Sequence, residues 1–197
     1  MVTEYHVKFI GGRLCLDFVN TVGGRTPGGG VIRDKLAGYH DLLAWGWLSG
    51  DHSLAPTASF HPRQGAAVFR RAIRLREALY RIFDRLRTGH RPAARDIDRL
   101  RVELDKARAN QRLAAHPGGF AWTLFPGAAL DRVLWPVALS AAELLTSADL
   151  PKLRQCAGPD CGWLFLDVSR NRRRRWCDMQ DCGNRAKVRR FRTRRRP

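Results

Sequence analysis

Four cysteines in two matched short loops, Cys156-x4-Cys161 and Cys177-x4-Cys182 with fifteen residues between the pairs, constrain this chain more than any other feature. Each loop brings two sulfurs within reach of one ion, and the intervening segment must return the backbone to the same point. Thiol pairs about 15–20 residues apart are the pattern of a structural zinc site, with sulfur about 2.3 Å from the metal. Four thiolates close the tetrahedral shell and leave no place for a catalytic water. The expectation is one structural Zn2+ per chain. Two disulfides, four free thiols or an iron–sulfur cluster are the alternatives that four cysteines admit. The six histidines are scattered without paired spacing, which argues against a histidine-based catalytic metal.

Charge divides the chain in the same place. The 197 residues carry a net charge of +18, which points to a polyanionic partner, nucleic acid or an anionic membrane surface. Residues 1–150 hold 21 basic and 14 acidic side chains, whereas residues 151–197 hold 15 and 4. Pro151 marks the boundary between these two domains. No apolar run reaches the roughly 18 residues a spanning helix needs, and the N-terminus lacks a secretory pattern. The reading is therefore of an intracellular chain with no membrane role, its thiols reduced and available to a metal.

The first domain reads as mainly α. Val68, Ala72, Leu75, Leu79, Ile82 and Leu86 recur at helical spacing in 65–87, and Ile97, Leu100, Leu104 and Ala107 form a second stripe behind Pro92. A third helix is expected over about 127–147, kinked at Pro136, and a shorter one over 35–48, interrupted at Gly46. "FAWTLF" at 120–125 alternates like a strand, and "RLCLDFVN" at 13–20 fits either a strand or a buried helix. The glycine-rich 22–30 lacks the Gly-Lys-Ser/Thr ending of a P-loop and reads as a mobile loop. Asp17 and Asn20 lie inside an apolar stretch, where they either fix the backbone or line an effector pocket. Cys15, between two leucines, reads as a small buried hydrophobe.

The second domain is too short to fold on a core of its own, so metal binding must supply much of its stability. "WLFLD" at 163–167 and "RRRW" at 173–176 are expected to pair as a hairpin. Trp163, Phe165, Trp176, Val188 and Phe191 would gather around the metal. "GNRAKVRRFRTRRR" after Cys182 is a basic helix candidate with Asn184 as N-cap and Gly183 close to a thiolate. Arg185, Lys187, Arg189, Arg190 and Arg192 on that helix, with Arg170, Asn171, Arg172, Arg173, Arg174 and Arg175 at the hairpin turn, are the candidate nucleic-acid contacts. Arginine's planar fork binds phosphate bidentately and reads guanine edges. The fold expected overall is a helical domain with a small strand element, then a four-cysteine zinc finger built of a β-hairpin and a basic helix, treble-clef-like.

"CGNR" at 182–185, "CGWLFLD" at 161–167 and "SRNRRRRWC" at 169–177 resemble the CGNR zinc finger family of bacterial regulators. "LCLDFVNT" at 14–21 resembles the start of the helical domain, often called ABATE, that precedes this finger. The resemblance implies zinc on Cys156, Cys161, Cys177 and Cys182, and a stress-associated transcriptional role. The leading reading is a cytoplasmic, nucleoid-associated DNA-binding regulator whose helical domain senses a small-molecule signal or pairs as a homodimer. An RNA-binding zinc protein and a thiolate–zinc redox switch are the alternatives. No nucleophile–base pair is apparent, so an enzyme is not expected.

Overall fold

The computed structural model of the chain describes residues 7–25, 33–52, 60–125 and 129–194. The ambiguous segment at 13–20 folds as a short helix, α1 (Leu14–Val19), with Cys15, Leu16, Phe18 and Val19 buried. A two-residue ladder joins β1 (Val22–Gly23) to β2 (Arg33–Asp34), and residues 26–30 of the glycine-rich segment lie outside the described residues. Helix α2 (Tyr39–Leu48) begins where the Asp41 carboxylate accepts the Ala37 and Gly38 amides at 2.7 and 3.1 Å. Gly46 does not interrupt it. The helix passes through that residue because burial of Leu42, Leu43 and Trp45 outweighs a glycine penalty of about 1 kcal/mol.

The long stripe becomes α3 (Pro62–Arg87), and the second becomes α4 (Ala94–Ala109). Two ion pairs zip these helices together. Arg71 reaches Glu103 at 2.6 Å and Arg81 reaches Asp96 at 2.6 Å, each with a buried carboxylate. A hairpin of β3 (Gln111–His116) and β4 (Gly119–Leu124) follows. The alternation at 120–125 foretold β4, but its partner β3 carries Arg112 and His116 and gave no strand signal.

A 3-10 turn (Leu130–Leu134) leads into α5 (Trp135–Thr146). Pro136 therefore starts this helix rather than kinking it, because its missing N–H falls where no intrahelical partner exists. The core is assembled from Leu16 and Phe18 of α1, Leu42 and Trp45 of α2, Leu75, Leu79 and Ile82 of α3, and Val137, Ala141 and Leu144 of α5.

Packing continues across Pro151. The strands β5 (Leu153–Gln155) and β6 (Leu164–Leu166) pair antiparallel, and Leu153, Leu164 and Leu166 enter the same core as the helices. The expected pairing of 163–167 with 173–176 is thus corrected. Leu153 offers an apolar partner that the arginine run cannot, and the ladder forms Leu153↔Leu166. After Cys177 the backbone makes one π-type turn (Met179–Gly183) and continues as α6 (Asn184–Arg194). Among the described residues, no helix is long and apolar enough to cross a membrane.

Candidate metal centre and nucleic-acid interface

The turn between β5 and β6 carries the first cysteine pair, and the segment leading into α6 carries the second. The four sulfurs of Cys156, Cys161, Cys177 and Cys182 all lie within 4.8 Å of one another, and all four residues are buried. Cys177 Sγ is 3.6 Å from both Cys161 Sγ and Cys182 Sγ. A tetrahedron with about 2.3 Å arms has edges of about 3.8 Å, so the spacing suits a single ion and is far from a disulfide.

The surroundings suit thiolates. The Cys177 and Gly158 amides point at Cys156 Sγ at 3.4 and 3.5 Å, and Arg185 Nη2 lies 3.1 Å from Cys182 Sγ. Donors placed behind the ligands in this way hold the sulfurs in position and spread their charge. A Cβ on Gly158 would sit 3.2 Å from Cys161 Cβ and 3.4 Å from Cys182 Sγ, so a side chain there would crowd two of the four cysteines. A Cβ on Gly183 would meet Met179 at 3.1 Å and Trp176 at 3.5 Å, so a glycine there also keeps the π-turn close-packed.

Phe165, Trp163 and Trp176 pack against the cysteines, joined by Ile10 from the N-terminal segment. Val188 and Phe191 do not join them. They are 49% and 55% exposed on α6, which extends from the π-turn instead of folding back over the metal. Asn184 is not the N-cap either. The helical run starts five residues earlier, where Asp178 Oδ1 accepts the Gln180 amide at 2.8 Å, and Asn184 Nδ2 donates to Gln180 O.

The candidate contact residues separate into braced and free-standing groups. Arg170, Asn171, Arg172 and Arg173 are exposed at the tip of a loop turned by Arg172 at φ 47° and closed by Arg172 N to Ser169 O at 3.1 Å. Arg174 is half-buried over the Phe165 ring at 4.4 Å and donates to the carbonyls of Trp176 and Cys177. Arg175 lies 5.5 Å from the Trp176 ring centre. Arg185 bridges Cys182 and Asp181, while Lys187, Arg189, Arg190 and Arg192 are exposed along α6.

Sequence reasoning missed the residue that orders this loop. Asp167 is 1% exposed, and it accepts Ser169 N at 3.0 Å, Ser169 Oγ at 2.5 Å and Arg174 N at 2.9 Å. An aspartate two residues before a serine, ahead of an Asn-Arg turn, is the available signal. Burial opposes its charge, but the Ser169 and Arg174 donors outweigh that and hold the carboxyl below its usual range.

Asp17 and Asn20 both bond backbone. Asp17 Oδ1 accepts the Gly11 amide at 2.8 Å. Asn20 clamps Leu164 from both sides, donating Nδ2 to its carbonyl at 2.8 Å and accepting its amide at 2.9 Å. Trp163 Nε1 donates to Val22 O at 3.0 Å, and Gly24 N donates to Cys161 O at 2.9 Å. Neither polar residue lines the cleft of about 370 Å³ between α3 and α4, which Arg71, Arg74, Arg99 and Lys106 surround. Cys15 is fully buried, and burial pushes its thiol up to about 12.

No curated protein matches the chain. Two family matches divide it between them: ABATE, described as "Putative stress-induced transcription regulator", over residues 12–148, and the CGNR zinc finger over residues 152–195. The four sulfurs are the zinc ligands of that finger, and the chain belongs to the ABATE family with a C-terminal CGNR zinc finger.

Proposed function

We propose that the chain is a DNA-binding transcriptional regulator of the cytoplasm, and not an enzyme. The observation that carries this reading is the display of exposed cations on two elements braced by one zinc centre: the loop at 170–173 and the helix α6. Loose charged tails neutralise phosphate but cannot read sequence, whereas groups of fixed geometry can do both. Zinc supplies the rigidity, and with four protein sulfurs around it the ion is structural.

DNA is favoured over RNA by the shape of α6. A single helix with Lys187, Arg189, Arg190 and Arg192 exposed fits the B-form major groove, whereas the A-form major groove is too deep and narrow for it. Val188, exposed between these cations, suits contact with a thymine methyl group.

The test is a salt titration of the zinc-loaded chain on a selected duplex, a scrambled duplex and a structured RNA. Affinity should fall steeply with salt on all three, with a slope near −0.9 per phosphate contact on duplex DNA. The selected duplex should stay tightest. Equal affinity for both duplexes would make the protein a non-specific binder, and tighter binding to RNA would move it to the other class.

A further inference from the structure

The hairpin β3–β4 is the element least explained by the fold around it. Its register pairs Leu113 with Trp122 and Ala115 with Phe120, so these side chains share one face. That face meets solvent: Leu113 is 59%, Trp122 67% and Phe120 73% exposed. An isolated two-stranded hairpin is marginal in water, and soluble monomers seldom display contiguous apolar patches of this kind.

We propose that this face is where two copies of the chain pair, hairpin against hairpin, about a two-fold axis. Charge selects the occupant. Gln111, Leu113, Ala115, Phe120, Trp122 and Leu124 occupy the face without a single charged group, on a chain of net charge +18. Two such chains repel each other over most of their surface and approach with least opposition here. An acidic partner protein would find no cation to pair with on this face.

Area agrees with the choice. A buried aromatic covers about 150–250 Å², so these three side chains offer roughly 400 Å² of apolar surface per copy. That is half of the about 800 Å² each partner contributes to a standard interface, and the strands and flanking residues supply the rest. Stacked sheets sit about 10 Å apart, and the small Ala115 opposite Phe120 leaves room for a ring from the other copy.

The experiment is sedimentation equilibrium of the full zinc-loaded chain from micromolar to near-millimolar concentration, at low and high salt, beside Trp122→Glu and Phe120→Ser. The expected result is a dimer that strengthens with salt, because screening relieves repulsion between the copies while the apolar contact persists. DNA binding responds to salt in the opposite sense, so the two readings can fail separately. Both variants should dissociate at least tenfold more readily, with zinc content unchanged and, at dilutions where all are monomers, the wild-type melting temperature. Because Trp122→Glu also loosens the hairpin itself, Ala115→Cys gives a second arm, in which a short bismaleimide able to span the about 10 Å between stacked sheets should link two copies covalently and the same change at exposed Val102 on α4 should not. A wild-type monomer at every concentration overturns the proposal, as does a dimer that both variants leave intact.

Discussion

The arginines of the loop at 170–175 repel one another, and a buried carboxylate beside them fixes their path. Asp167 accepts three donors from the loop, so its removal leaves the Ser169 and Arg174 amides without their partner and frees the chain that carries Arg170 to Arg173. Asp167→Ala should cost about 2 kcal/mol of stability and weaken DNA binding, with one zinc per chain retained. Elemental analysis beside a binding isotherm checks both halves. Arg185 serves the metal shell instead. It donates to the Cys182 sulfur, and Arg185→Ala should weaken zinc retention by about 10–100-fold in competition with a chromophoric chelator. Asp17 ties stability to pH. Burial pushes its carboxyl up to about 6, against the opposing pull of the Gly11 and Ile10 amides. A raised folded-state pKa means that its contribution is complete below the unfolded value near 3.9 and is lost as pH rises through about 6. Relative to Asp17→Asn, the native chain should lose about 1 kcal/mol between about pH 5 and about pH 7, measured by denaturant unfolding.

At the scale of elements, the proposed DNA-binding role predicts a division of labour along α6. Arg189 is exposed within two turns of the zinc centre, where position is fixed, and Arg189→Ala should narrow the gap between a selected site and random DNA. Removing Arg194, Arg195 and Arg196 should weaken all sequences alike and flatten the salt dependence by up to about 0.9 per lost contact. Arg195 and Arg196 lie outside the described residues. What was legible in the sequence follows the same logic of local against distant causes. The four ligands, the long stripe of α3 and the basic helix are written in spacing, a property of near neighbours along the chain. The partner of β6 was not, because the choice between Leu153 and the arginine run is made by a core assembled from residues over a hundred positions away. Val188 and Phe191 misled for a related reason. Their helical spacing marks them as sharing one face, but spacing alone does not say whether anything covers that face.

The whole molecule is joined by contacts that ignore the charge boundary at Pro151. Asn20 grips Leu164, Trp163 reaches Val22, the Gly24 amide meets Cys161, and Leu166 bonds Gly11. Cys177→Ser should therefore lower the melting temperature of the helices as well as the finger, in one transition by circular dichroism. A fragment ending at residue 150 loses Leu153, Leu164 and Leu166 from its core and should unfold at lower denaturant than the full chain. Truncating three buried leucines is comparable to several cavity-forming substitutions, each worth about 2–5 kcal/mol.

The grip of Asn20 on Leu164 should also bear on how long a copy of this protein survives in the cell. Because finger and helices share one core, an ion held by four sulfurs at one end stabilises the entire chain by mass action, at about 1.4 kcal/mol for each tenfold rise in free zinc above the dissociation constant. Proteases sample the unfolded fraction, so turnover should accelerate when zinc is scarce, even with transcription of the gene held constant. A pulse-chase in zinc-limited and zinc-replete cells reads this directly. The shorter half-life should appear in the limited culture, and Asn20→Ala should shorten it in both.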